Sequence, residues 1–308
     1  MTPNQRLLVA VALSVIFFAT YTAIFPPVQP EVTDAPKSQT VELNKNNTQA
    51  SFDDKVIDAV VGHDIAQEEA IQVSASNDIL TVKNENFILK MDTLGRISSK
   101  ELLQEKFRDT DEKHAQLIPA FAAKPLFLRF VDQDINKEAS SVAYTASIAE
   151  VNLDATPQKV TLTQKLSKLT VTKELTFYAD GHYDITISLS DNQRYFVYLG
   201  QRPEITEQMM TVSGAMVYTD DELVTIVEDG DAEGRKTFSG VELISAFDQY
   251  AATIMYGFSK ETNIVVERDR DDNPVVYFDA LPTMSFHGYV GQKEYKVLKN
   301  INPVLTNA

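Results

Sequence analysis

Acid–base chemistry in this chain would have to start from four histidines, His63, His114, His182 and His287, because there is no cysteine to act as nucleophile or soft ligand. A histidine works as a general base when a second group, usually a carboxylate within hydrogen-bond reach, orients it. His63 falls in a polar stretch, His114 in a charged loop and His182 in a hairpin turn. His287, beside Phe286 in a late strand, could line a cleft, but the sequence offers it no partner, and a lone strand histidine is more often a structural hydrogen-bonder. Two acidic clusters, Asp220-Asp221-Glu222 and Asp229-Gly230-Asp231-Ala232-Glu233, raise a calcium reading. An EF-hand loop opening at Asp229 needs a glutamate at its twelfth position, where Gly240 stands, so a solvated turn is the better reading. Lack of cysteine excludes disulfides, iron–sulfur clusters and thiolate zinc sites, and no Gly-x-Ser-x-Gly, P-loop or dinucleotide fingerprint occurs. The residues nominate no catalytic, cofactor-binding or metal site, and they leave substrate binding open.

The element that would position the rest is Leu7 to Phe25, a run of 19 residues without a charge. As a helix it covers about 28 Å, close to the thickness of a bilayer's hydrocarbon core. Ser14, Thr20, Tyr21 and Thr22 are its polar side chains, and a helix hides small hydroxyls by bonding them to its own carbonyls. Pro26, Pro27 and Pro30 stop it. A cleaved signal peptide would have a shorter apolar core and small residues at the cut, so a retained transmembrane anchor is expected. Arg6 precedes the span, and the first basic residue after it is Lys37. That asymmetry points to a cytoplasmic tail over residues 1–6 and a main domain outside the cytoplasm.

The chain carries 28 basic and 44 acidic residues, for a net charge of −16. An excess of that size argues against nucleic acid and against anionic lipid as partners of the domain. Residues 26–77 are rich in Asn, Gln, Thr, Asp and Pro and read as a flexible polar tether. From Ile79 the pattern changes to period two. The clearest pair is Leu169, Val171, Leu175 and Phe177 on one strand face, a turn at Ala179-Asp180-Gly181-His182, then Tyr183, Ile185, Ile187 and Leu189. Such alternation marks an antiparallel hairpin with one dry face. Further runs include Tyr195–Leu199, Met216–Tyr218, Leu223–Val227, Ala251–Tyr256, Asn263–Glu267, Val275–Phe278 and Thr283–Val290. About a dozen strands between turn signals predict a mainly β chain, a large antiparallel β-sandwich over residues 78–292. Residues 293–308 leave the strand pattern. Tyr295, Leu298 and Ile301 are spaced like one face of an amphipathic helix, which suggests a piece of something longer.

The order of these parts, with Asp92-Thr93-Leu94-Gly95-Arg96, Phe177 through Tyr183, Phe247-Asp248-Gln249-Tyr250 and the closing Tyr289, Gly291, Lys293, Tyr295 and Leu298, resembles the membrane protein insertase YidC of Gram-negative bacteria. The glutamine at Gln292 departs from the family's commoner proline. The resemblance implies a bacterial inner-membrane chain made of the family's first helix and its first periplasmic domain. It implies a β-supersandwich similar to galactose mutarotases, contact with Sec translocase subunits and nascent membrane proteins, and a non-enzymatic role. The family's inserting helices have no counterpart among these residues. The mutarotase-like fold also raises an alternative, a tethered carbohydrate-binding or sugar-epimerising domain, which would need an acid and a base around one ring.

Overall fold

The computed structural model describes residues 78–107, 113–120, 123–203 and 211–308. The expected span Leu7 to Phe25, the tether and His63 lie outside the described residues. Among the described residues no helix is long and apolar enough to cross a membrane.

Among the described residues nineteen strands form three sheets, where the sequence pattern predicts about a dozen. The largest sheet runs β13 (Val224–Glu228), β12 (Gly214–Thr219), β15 (Val241–Phe247), β16 (Ala251–Tyr256), β19 (Thr283–Gln292), β10 (His182–Leu189), β9 (Thr170–Phe177), β8 (Gln158–Lys165) and β6 (Thr145–Ala146). A second sheet runs β4 (Ala115–Gln116), β3 (Ile97–Leu102), β2 (Phe87–Asp92), β1 (Asp78–Lys83) and β7 (Glu150–Asn152). The third runs β14 (Arg235–Phe238), β17 (Ile264–Arg268), β18 (Pro274–Ala280), β11 (Tyr195–Tyr198) and β5 (Leu128–Phe130). Every pairing is antiparallel except β1 with β7. The predicted hairpin forms as β9 and β10, with Phe177 opposite Tyr183 and Leu175 opposite Ile185. His182 is the first residue of β10 rather than part of the turn. A short helix α1 (Gln133–Ala139), not anticipated, is capped by Asp132, whose carboxylate accepts from the Asp134 and Ile135 amides.

One core lies between the inner face of the nine-stranded sheet and the two smaller sheets, with Val171, Leu175, Tyr183 and Ile185 from the first meeting Met91 and Ile97 from the second and Val197 and Phe278 from the third. Lys173 sits in the middle of this dry face, on the same side of β9 as Val171 and Leu175. Its Nζ donates to the Gly95 carbonyl and to the Leu126 carbonyl, each at 2.8 Å, and lies 4.9 Å from the Tyr144 ring centre. Lys100 does the same for the hairpin turn: its Nζ donates to the Gly181 carbonyl at 3.2 Å, over the Phe87 ring. Gly181 has φ +92°, a backbone conformation that strains any residue with a Cβ, so the turn needs glycine. The Asp92-to-Arg96 motif is a tight turn closed by a buried ion pair, with Arg96 Nε 2.9 Å from Asp92 Oδ2.

A second, smaller core covers part of the sheet's outer face. After β19 the chain forms α2 (Tyr295–Ile301), is extended at Asn302, and ends in a 3₁₀ turn at Pro303–Asn307. Leu298 and Leu305 bury themselves against Met216, Leu243, Phe247, Ile254 and Tyr289. This explains why β16 is buried on both faces. Tyr295, predicted on the same helix face as Leu298, is instead exposed. The helix is a single short piece, and only its Leu298 side meets the sheet.

Two outcomes follow for stability. Burial pushes the Lys173 amine from its ordinary 10.5 down to about 7, although the Asp92 charge opposes the shift. Between those values the unfolded chain holds a proton there that the folded chain has released, so stability rises with pH across the window. Lys173→Ala leaves two buried carbonyls without their donor and is expected to cost about 2–4 kcal/mol at neutral pH. Urea unfolding at several pH values should also show a shallower alkaline rise for the variant. Leu298→Ala should cost about 3 kcal/mol by the same measurement, as expected for a leucine emptied from a closed core.

Candidate functional site

Paired residues of antiparallel strands project on the same face, so the registers trace what lines the outer surface of the nine-stranded sheet. Going across it, Ile226 pairs with Met216, Met216 with Ser245, Ser245 with Ile254 and Ile254 with Tyr289. One step along the strands, Tyr256 pairs with His287, His287 with Asp184 and Asp184 with Thr176. The surface therefore grades from an open apolar edge, through the zone covered by α2, to a polar band on β19, β10 and β9.

The titratable groups meet in that polar band. His287 Nδ1 lies 2.5 Å from Asp184 Oδ1, and the Tyr178 hydroxyl donates to Asp184 Oδ2 at 2.6 Å. His182 Nδ1 lies 2.5 Å from Asp180 Oδ1, and its ring stacks on Tyr178 with centres 4.0 Å apart. Tyr256 stacks on His287 from the other side. Gly257, at φ +76°, leaves room for that ring, since a Cβ would fall 2.6 Å from His287 Cδ2. Partial burial tends to raise the Asp184 carboxyl, but hydrogen bonds from Tyr178 and His287 outweigh it and hold the group below the usual carboxylate range. Asp180 is held low in the same way, by His182 against its own burial. The bond to Asp184 raises the Tyr178 hydroxyl.

His287 thus gains the carboxylate partner that the sequence did not offer it, from a residue 103 positions away. With the proton assigned to Nδ1, facing Asp184, Nε2 is the nitrogen left to accept one. Both nearby carboxylates are already engaged, Asp184 twice and Asp180 by His182. The arrangement braces three adjacent strands and offers a polar, hydrogen-bonding surface. Tyr178 and Asp184 flank the hairpin turn, so their closeness was readable from the β9–β10 register; their contact with β19 was not.

The other sequence candidates do not join this band. His114 Nδ1 pairs with Glu101 Oε1 at 2.9 Å, beside β3 and β4. Asp220 pairs with Lys260 and Asp229 with Arg202, each in a turn next to β13. Among the described residues no group of three or more His, Asp or Glu could hold a metal ion. The closing motif is a joint. The Tyr289 hydroxyl donates to the Gln292 carbonyl at 2.9 Å, and a Cβ at Gly291 would collide with that hydroxyl. Lys293 Nζ donates to the Asp248 carbonyl at 3.2 Å and lies over the Phe247 ring. Asp248 in turn accepts from the Tyr250 and Ala251 amides.

No family model matches the chain. Among curated proteins it is 33% identical over 304 residues to the membrane protein insertase YidC of Campylobacter jejuni, an alignment covering 98% of this chain and 56% of that protein. It is 31% identical to the YidC of Wolinella succinogenes, over 99% of this chain and 56% of the relative. The chain spans about half the length of the curated relatives it matches. Among solved structures, a putative aldose 1-epimerase of Escherichia coli superposes with a TM-score of 0.39 at 10% identity, covering 70% of this chain and 99% of that one. The periplasmic domain of Thermotoga maritima YidC superposes at 0.30 and 12% identity, over 74% of this chain and 98% of that one. Scores this low do not by themselves decide a fold.

Carbon-13 NMR of the aspartate carboxyls tests the polar band. Asp184 should titrate below an ordinary aspartate and move back up when Tyr178→Phe and His287→Ala remove its two partners. An unchanged titration in the double variant would show that those bonds do not form.

Proposed function

We propose, from the premise that this chain is a relative of the YidC insertases, that it is the membrane anchor and periplasmic domain of such an insertase and chaperone. The observation that carries the reading is the 33% identity spread over 98% of the chain, rather than confined to one motif. The chain works by binding and not by making bonds, a reading supported by its similarity to relatives named as insertases. Leu7 to Phe25 holds it in the bacterial inner membrane with the N-terminus in the cytoplasm, and residues 26–77 tether the domain on the periplasmic side. Its partners are the lipid bilayer, nascent membrane proteins and Sec translocase subunits; the domain's acidity turns nucleic acid away. Insertion itself needs no nucleotide, since moving apolar helices out of water gains about 25 cal/mol per Å².

Two experiments test this. The 308-residue chain reconstituted in vesicles should resist carbonate extraction and should not insert a model membrane protein unaided. Photocrosslinkers at Thr186 and at Ser285, which face outward on β10 and β19, should capture nascent membrane proteins or Sec subunits in cells. Silence at both positions, together with mutarotase activity that is lost in His287→Ala, would favour the sugar-directed alternative.

A further inference from the structure

The three sheets have six edge strands, and five of them are blunted. β4 and β6 have two residues each, β5 and β7 have three, and β14 carries Arg235 and Lys236. Short length and basic side chains are the ordinary means of keeping an edge from pairing with another chain. β13 has neither. It is five residues long, Val-Thr-Ile-Val-Glu, with no lysine, arginine or proline, and its register with β12 is unbroken by any bulge. Among the described residues it pairs only with β12.

Its outward side chains are apolar and wet: Val224 and Ile226 are 50% and 49% exposed, and Leu223 just before them is 62% exposed. The strand is also flanked by negative charge. Asp221 and Glu222 precede it, and Glu228, Asp231 and Glu233 end or follow it, all exposed. The neighbouring Asp220 and Asp229 are matched by Lys260 and Arg202, but Glu222, Glu228, Asp231 and Glu233 have no salt-bridge partner among the described residues.

We propose that the outer edge of β13 accepts an extended segment of another polypeptide as an added strand, one whose middle carries apolar side chains on one face and whose two ends carry lysine or arginine. Backbone bonds to the free edge would hold it, the apolar side chains would cover Val224 and Ile226, and the basic ones would meet the acidic flanks. A second copy of this chain fits poorly, because antiparallel pairing of two β13 strands sets Asp221 and Glu222 of one against Glu228 and Asp231 of the other. The same charges turn away anionic lipid headgroups and nucleic acid. This docking edge goes beyond the insertase reading and does not depend on it.

The test uses the 308-residue chain in phosphatidylcholine nanodiscs and a fluorescent peptide of alternating valine and threonine with two lysines at each end, followed by anisotropy. The peptide should bind and protect the amides of Val224–Glu228 from hydrogen exchange. The same peptide with glutamates in place of its lysines, and the lysine-ended peptide N-methylated at alternate residues to remove its edge donors, should each bind at least about tenfold more weakly. The double variant V224K/I226K, which changes only exposed side chains, should lose at least about tenfold as well. Absence of binding, equal binding of the N-methylated peptide, or unchanged affinity in V224K/I226K would overturn the proposal. So would a dimer in sedimentation that V224K/I226K abolishes, since the occupant would then be a second copy.

Discussion

The amine of Lys173 ties the three sheets to one another across their shared core. It rises from β9 in the nine-stranded sheet, and its two acceptors belong to the others, Gly95 in the turn between β2 and β3 and Leu126 ahead of β5. Both acceptor residues have positive φ, +65° and +68°, at places where the chain has left its ladder and the carbonyls face inward. A buried carbonyl without a donor is costly, and among the described residues no backbone amide donates to either one. A long side chain that carries donors at its tip can reach both. The cost of burying an ammonium is offset in part by the Asp92 carboxylate, which itself is held by Arg96. Lys100 repeats the device on a smaller scale, pinning the β9–β10 turn to β3.

This arrangement has consequences on the far side of the sheet. Because the inner face is fully used by the shared core, whatever the domain presents to partners must come from the outer face, the edges or the turns. The outer face is divided by the chain's own C-terminal segment, which covers its middle with Leu298 and Leu305. On one side of that cover stands the band of Tyr178, His182, Asp184 and His287, on the other β13, which among the described residues pairs on one side only. The two surfaces differ in chemistry and lie on one sheet.

The motifs that carried the family resemblance turn out to be joints of the fold. Asp92 through Arg96 makes the turn that Lys173 grips, Phe177 through Tyr183 makes the hairpin that Lys100 grips, and Phe247 through Tyr250 makes the turn on which Lys293 rests. Gly291 leaves space for the Tyr289 hydroxyl. Such residues identify a fold because turns with buried polar closures tolerate few substitutes.

Strand identity and the dry face of the central hairpin were legible in the sequence because period-two alternation is a local property, set by neighbours two residues apart. Val171, Leu175, Tyr183 and Ile185 could be assigned to the core on that basis alone. Lys173 could not, since a lysine in an alternating strand reads as exposed until the chain brings Gly95 and Leu126 over it. His287 stayed an isolated strand histidine for the same reason, as its carboxylate lies 103 residues earlier and reaches it only through the pairing of β10 with β19. The number of sheets, the use of the C-terminal segment as a cover and the bareness of β13 were likewise decided by tertiary structure. Each depends on which edges and faces find a partner across the molecule, and a linear pattern of side chains carries no term for that.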